Sequence, residues 1–203
     1  MKNLMLIAII VFLSLNTAIA QHAFTELDRK SALAYLEMSK VELLTWVEGL
    51  STEQLRYKAS SDSWSVEECV EHLAVSEKFI FQNFSESLKT QPETAEKPTL
   101  PFTDEGIINL ISDRSQKVKT IPDLAPANRF GSFKASLKSY LTERENHIQF
   151  IRDTQEDLRS HYFQFPFGMT DSYQVILFLA AHNMRHTQQI KEVIQNPDFP
   201  GSI

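Results

Sequence analysis

The sequence predicts an all-α fold, a four-helix bundle with one short extra helix. Three observations predict it. Apolar residues recur at helical spacing through four long segments, each bounded by polar or proline-marked connections. No stretch shows sustained strand alternation closed by hairpin turns. Glycine is scarce, five in 203 residues, which disfavours a turn-rich β fold. The middle connection is long enough to cross over the end of a bundle. An irregular all-α domain is the alternative.

Residues 1–20 read as a signal peptide rather than as part of the fold. Lys2 gives a short positive start, Leu4 to Leu15 is apolar, and Ala18-Ile19-Ala20 supplies the small residues of a cleavage site. The apolar run is shorter than the ~20 residues a membrane span needs, so cleavage before Gln21 is expected rather than an uncleaved anchor. The expected mature domain is 21–203, exported to the periplasm or outside the cell, with no membrane span.

The first helix is expected from Glu26 to Val47, on the spacing of Leu27, Leu33, Leu36, Val41, Leu44 and Val47, with Gly49 near its end. Ser51 to Ser63 is a polar connection. The second helix starts at Ser65, where Ser65 and Glu68 form a capping box. Its apolar stripe is Val66, Val70, Leu73, Ile80, Phe84 and Leu88. Thr90 to Pro101 carries three prolines and reads as a linker. A shorter helix capped by Thr103 is expected over Asp104 to Lys119, then a loop to Gly131. A long helix follows from Phe133 to Thr154, with Leu137, Leu141, Ile148 and Ile151 facing inward. Phe163 to Thr170 is an aromatic loop, and the last helix runs from Ser172 to Ile194.

The formal net charge is −6, and −7 once Lys2 leaves with the leader. That acidity argues against nucleic acid as a partner, because a phosphate-backbone binder needs a basic surface. Cys69 is the single cysteine, so no intramolecular disulfide can form. Its place between Val66 and Leu73 on a helical face fits burial.

His182 and His186 are four residues apart, one turn, and can reach a single ion. They interrupt a stripe of Val175, Phe178, Leu179, Ile190 and Val193, so they should point inward. Two hydrogen-bonded core histidines would give the same pattern. A zinc protease of the His-Glu-x-x-His type is excluded, because Asn183 stands where the general base is needed. An open catalytic site uses three protein ligands, and the third could come from His22, His72, His147 or His161. His22 lies at a fraying terminus and His161 precedes the aromatic loop. His147 stands mid-helix among charged residues, where solvent exposure is expected. His72 flanks the core stripe, with small Cys69 and Ser76 a turn to either side.

The segments Trp64-Ser65-Val66-Glu67-Glu68-Cys69-Val70-Glu71-His72-Leu73-Ala74 and Ala181-His182-Asn183-Met184-Arg185-His186-Thr187-Gln188-Gln189-Ile190 resemble the DinB superfamily, in its bacillithiol-transferase-like branch. Phe167-Gly168 followed by Thr170 resembles the loop before that family's last helix. The resemblance covers the mature chain in helix order. It implies an up-down-down-up bundle, often a homodimer, with a divalent metal, commonly zinc or nickel, on three histidines. Carried over, these are His72, His182 and His186. It also implies a metal-dependent enzyme acting on a small-molecule substrate, a thiol-dependent transferase or isomerase; for an exported chain, where cytosolic thiols are scarce, a hydrolase using metal-activated water is the expected substitute. The alternative is a non-catalytic metal-binding or interaction module. Cys69, one turn before His72, could ligate as a thiolate, but its face favours a buried packing role. Glu68 and Gln189 lie about one turn from His72 and His186, as supporting partners or solvated surface. Trp64 reads as a packing anchor rather than a substrate contact.

Overall fold

A computed structural model describes residues 23–89 and 98–201; the expected leader, its cleavage site and His22 lie outside them. Six helices form: α1 Glu26–Val47, α2 Thr52–Arg56, α3 Val66–Ser87, α4 Asp104–Ser112, α5 Phe133–Asp153 and α6 Ser172–Ile194, with a hairpin of β1 Tyr162–Phe165 and β2 Gly168–Asp171. The long helices begin where side chains satisfy the free backbone amides. Thr25 with Asp28 and Ser65 with Glu68 are reciprocal capping boxes, and Asp171 caps α6.

Three ion pairs, two hydrogen bonds and a ring contact fix the helix directions. Asp28, early in α1, and Asp171, at the start of α6, meet on Arg159, while Glu42 and Lys191 pair late in both helices. α1 and α6 are therefore parallel. Arg29, early in α1, donates to the carbonyls of Ile151 and Thr154 at the end of α5, so those two are antiparallel. Phe84 and Phe150 pack edge to face late in α3 and α5, which run together. The result is the up-down-down-up bundle, with α1 against α6 and α5, and α3 against α5 and α6.

The core is split. One apolar cluster is built around Leu36, Phe84, Ile148 and Ile176, the other around Leu43, Leu73, Tyr140 and Ile190. Between them lies a polar layer of Ser39, Glu77, Arg144 and His147, all fully buried. This layer explains where the first helix departs from expectation. Its buried face is Asp28, Ala32, Leu36, Ser39, Leu43 and Val47, and Leu27 and Val41 are exposed. The buried stripe contains two polar residues because two arginines wait for them: Arg159 takes Asp28, and Arg144 takes Ser39 at 3.0 Å. A search for apolar periodicity alone passes over such a stripe.

The aromatic loop is a hairpin instead, its strands too short for alternation to show. Phe165 pairs with Gly168 across the turn. Gly168 sits at φ +141° and a Cβ there would meet Pro101 Cγ at 2.8 Å, so only glycine fits. α4 also stops earlier than expected, at Ser112. There Asp113 turns to extended backbone and binds Ser115 through its own carboxylate.

Candidate metal centre

α3 carries His72 and α6 carries His182 and His186, and the contact of these two helices brings the three imidazoles together. Their Nε2 atoms converge: His182 Nε2 lies 3.3 Å from that of His72 and 3.2 Å from that of His186. Nitrogens about 2.0–2.1 Å from one tetrahedral ion stand about 3.3 Å apart, so the spacing suits a single divalent cation.

The outer nitrogens settle which ring atoms carry protons. His72 Nδ1 is 2.8 Å from the Leu124 carbonyl, which can only accept, so Nδ1 donates. His186 Nδ1 is 3.0 Å from Gln189 Oε1. Arg114 Nη1 also reaches that atom, at 3.3 Å. A guanidinium only donates, so the atom is the amide oxygen and His186 Nδ1 is again the donor. Two lone pairs on Nε2 therefore face His182. A proton on His182 could satisfy just one of them, and the other protein group within reach is the Ser76 hydroxyl, 3.3 Å from His72 Nε2. Further protonation is opposed: burial lowers the basicity of all three, most strongly for His182 and His186, and the neighbouring rings add to it, His72 acting on His182, and His182 and His72 on His186. Neutral imidazoles with inward lone pairs are what a divalent cation requires.

The surroundings are aromatic. Trp64, just before the α3 cap, lies 4.9 Å from the His72 ring and stacks on His186 at 5.8 Å. Phe178, one turn before His182, stacks on it at 5.6 Å and continues through Phe165 and Phe167 of the hairpin. Trp64 thus packs on the histidines themselves. Gln189 touches the site, whereas Glu68 is spent on the Ser65 cap and Lys58. His72, on the flank of the α3 stripe, is only 3% exposed. Cys69 is fully buried and desolvation pushes its thiol well up, so it is a packing residue and no thiolate.

His161 remains outside the cluster, 3.8 Å from Glu156. His147, expected in solvent, is fully buried, 2.9 Å from Glu77 and stacked on Phe81. Of the charged neighbours that suggested exposure, Arg144 shares its buried layer, while Glu145 faces outward and pairs with Lys40 and Arg152. Among the described residues, these three histidines are the group with metal-binding spacing. Sequence reasoning missed Glu71, whose carboxylate accepts the backbone N–H groups of Ala127, Asn128 and Arg129. It also missed the Leu124 carbonyl, which no side-chain motif could signal.

Fold and site together define a helical-bundle protein with a three-histidine centre suited to a divalent metal. The sequence profile of the DinB superfamily matches residues 35–190, and the chain belongs to that superfamily. It is 29% identical over 160 residues to YuaE, an uncharacterized protein of Bacillus subtilis (strain 168), covering 76% of this chain and 93% of YuaE. Its fold is similar to that of YfiT from Bacillus subtilis, described as a probable metal-dependent hydrolase with an unusual four-helix bundle topology. The TM-score is 0.58 at 19% identity, over 85% of this chain and 89% of YfiT.

Proposed function

We propose that this chain is an exported metal-dependent hydrolase, with His72, His182 and His186 holding one zinc or nickel ion. The observation that carries the reading is the convergence of three Nε2 atoms, with no cysteine or carboxylate joining them among the described residues. An ion held by three histidines keeps a coordination position for water or substrate. Bound there, it supplies Lewis acidity and makes a coordinated water acidic near neutral pH.

The chain's own residues supply orientation. Leu124 and Gln189 hold two imidazoles in the required tautomer, and Trp64 and Phe178 give the centre apolar walls. Asn183 is turned into the core, donating to Tyr140 Oη at 2.6 Å, and takes no part. Cys69 is buried, so any thiol in a transferase reaction would have to come with the substrate. Hydrolysis is therefore the simpler chemistry for an exported chain.

The test is elemental analysis of protein purified without chelator, beside His182→Ala, followed by an ester and amide hydrolysis screen of the reconstituted protein. One bound metal per chain, lost in the variant, is expected. Protein that takes up neither zinc nor nickel sinks the reading. Filled coordination at four protein atoms would favour the non-catalytic module. The leader reading predicts exported protein that begins at Gln21 by intact mass. A homodimer is supported by the exposed face of α1, where Leu27, Met38 and Val41 lie at 74%, 52% and 57% exposure; sedimentation checks it.

A further inference from the structure

Residues 113–129 of the crossover between α4 and α5 have only one three-residue turn of 3-10 helix, Pro122–Leu124, and two exposed apolar side chains, Val118 at 75% and Ile121 at 50%. A segment of that kind has little packing of its own to keep it in place. It is nevertheless tied down at both ends, and by neighbours of the three histidines.

At its start, Arg185, the residue before His186, donates to the carbonyls of Asp113 and Gln116. Arg114 forms a two-point ion pair with Glu192, at 2.8 and 2.6 Å, and its third contact is the Gln189 oxygen that accepts from His186. At its end, Glu71, the residue before His72, takes three consecutive backbone N–H groups at 2.7–3.0 Å. Arg129 folds back onto the carbonyls of Asp123 and Ala125. Between these anchors lies Leu124, whose carbonyl accepts from His72 Nδ1.

We propose that the 113–129 crossover is a strap that sets the tautomers of His72 and His186, and that Glu71 and Arg114 are positioning residues for the metal centre. Glu71 acts through the loop that carries Leu124. Arg114 acts through Gln189, whose oxygen it holds toward the ring. The coupling runs both ways, because whatever stabilises one arrangement of linked sites stabilises the other. A cation on the Nε2 atoms strengthens the Nδ1 donors and tightens the strap, and a tight strap raises cation affinity. This inference rests on the metal reading above, and its test separates the two.

Glu71→Gln and Arg114→Ala are compared with the unaltered chain by three measurements. The first is zinc affinity by competition with a chromophoric chelator. Outer partners of a metal-bound histidine are worth about 10–100-fold in affinity, and each variant is expected to lose that much. The second is limited proteolysis within 113–129. Zinc is expected to slow cleavage in the unaltered chain, and both variants to be cut faster at equal zinc. The third is nitrogen-15 NMR of the metal-free protein, where His72 and His186 are expected as Nδ1–H tautomers. Glu71→Gln should mix the tautomers of His72, and Arg114→Ala those of His186. Urea midpoints within error of the unaltered chain establish that the fold is intact; should one variant unfold, the other carries the test from the opposite end of the strap. Variants with unaltered zinc affinity and unaltered tautomers would overturn the proposal. Failure of the unaltered chain to bind zinc would defeat the metal reading alone, since the metal-free tautomers still report on the strap.

Discussion

Two buried clusters, both partly built on α3, put histidine to opposite uses. At one, His72 meets His182 and His186, with no carboxylate in the group and only neutral acceptors on the known outer nitrogens. At the other, five residues along the same helix, Glu77 lies between Arg144 and His147, and Arg144 also bonds Ser39 and the carbonyls of Leu36 and Leu179. The second cluster brings its own counter-charge, Glu77 against Arg144 and His147. The first has lone pairs aimed at one another and calls for a positive charge from outside. Burial is common to both, so burial alone does not mark a metal site; the sign of the surrounding groups does.

The sharpest way to break the comparison is to remove the counter-charge from the closed cluster. Glu77→Ala leaves Arg144 as an uncompensated buried cation, and a cost of about 3–5 kcal/mol is expected, read as a lower urea midpoint with or without metal. The same pair sets an acid limit. Burial alone would raise the Glu77 carboxyl, but Arg144 and His147 bring it below its ordinary 4.5. A carboxyl with a depressed folded value contributes stability above its unfolded value and loses it as pH falls through the folded one. Urea midpoints should therefore fall steeply below about pH 4.5, and Glu77→Gln should flatten that slope.

The open cluster should respond to metal instead. Zinc at about 100 times its dissociation constant should stabilise the unaltered chain by about 2.7 kcal/mol, seen as a rise in melting temperature. His182→Ala should abolish that rise. A zinc-independent melting temperature in the unaltered chain would erase the distinction between the clusters. The smallest effect concerns the helix end next to the site. Ser65→Ala removes the α3 cap and should cost about 1 kcal/mol while leaving zinc affinity alone. A loss of affinity would mean that the cap, through Trp64, tunes the centre as well.

Much of the architecture is written locally. The ends of α1, α3 and α6 follow from Thr25, Ser65 and Asp171, because a cap bonds amides only three residues away. The His182–His186 pair is equally local, being one helical turn. The strands of the hairpin are too short to leave a period, and α4 ends at Asp113 without a proline or glycine to announce it.

By itself, then, the sequence determined the limits of the four long helices, the all-α class and two of the three converging imidazoles, since each depends on residues within a turn or two of one another. The family motif added His72. Tertiary structure alone decided that His147 is buried against Glu77, that Asp28 and Ser39 belong to the core stripe, and that Leu124 and Glu71 serve the site. Each of those roles depends on a partner tens of residues away, and a polar side chain carries no local sign of whether its partner will be water, an arginine or a backbone amide.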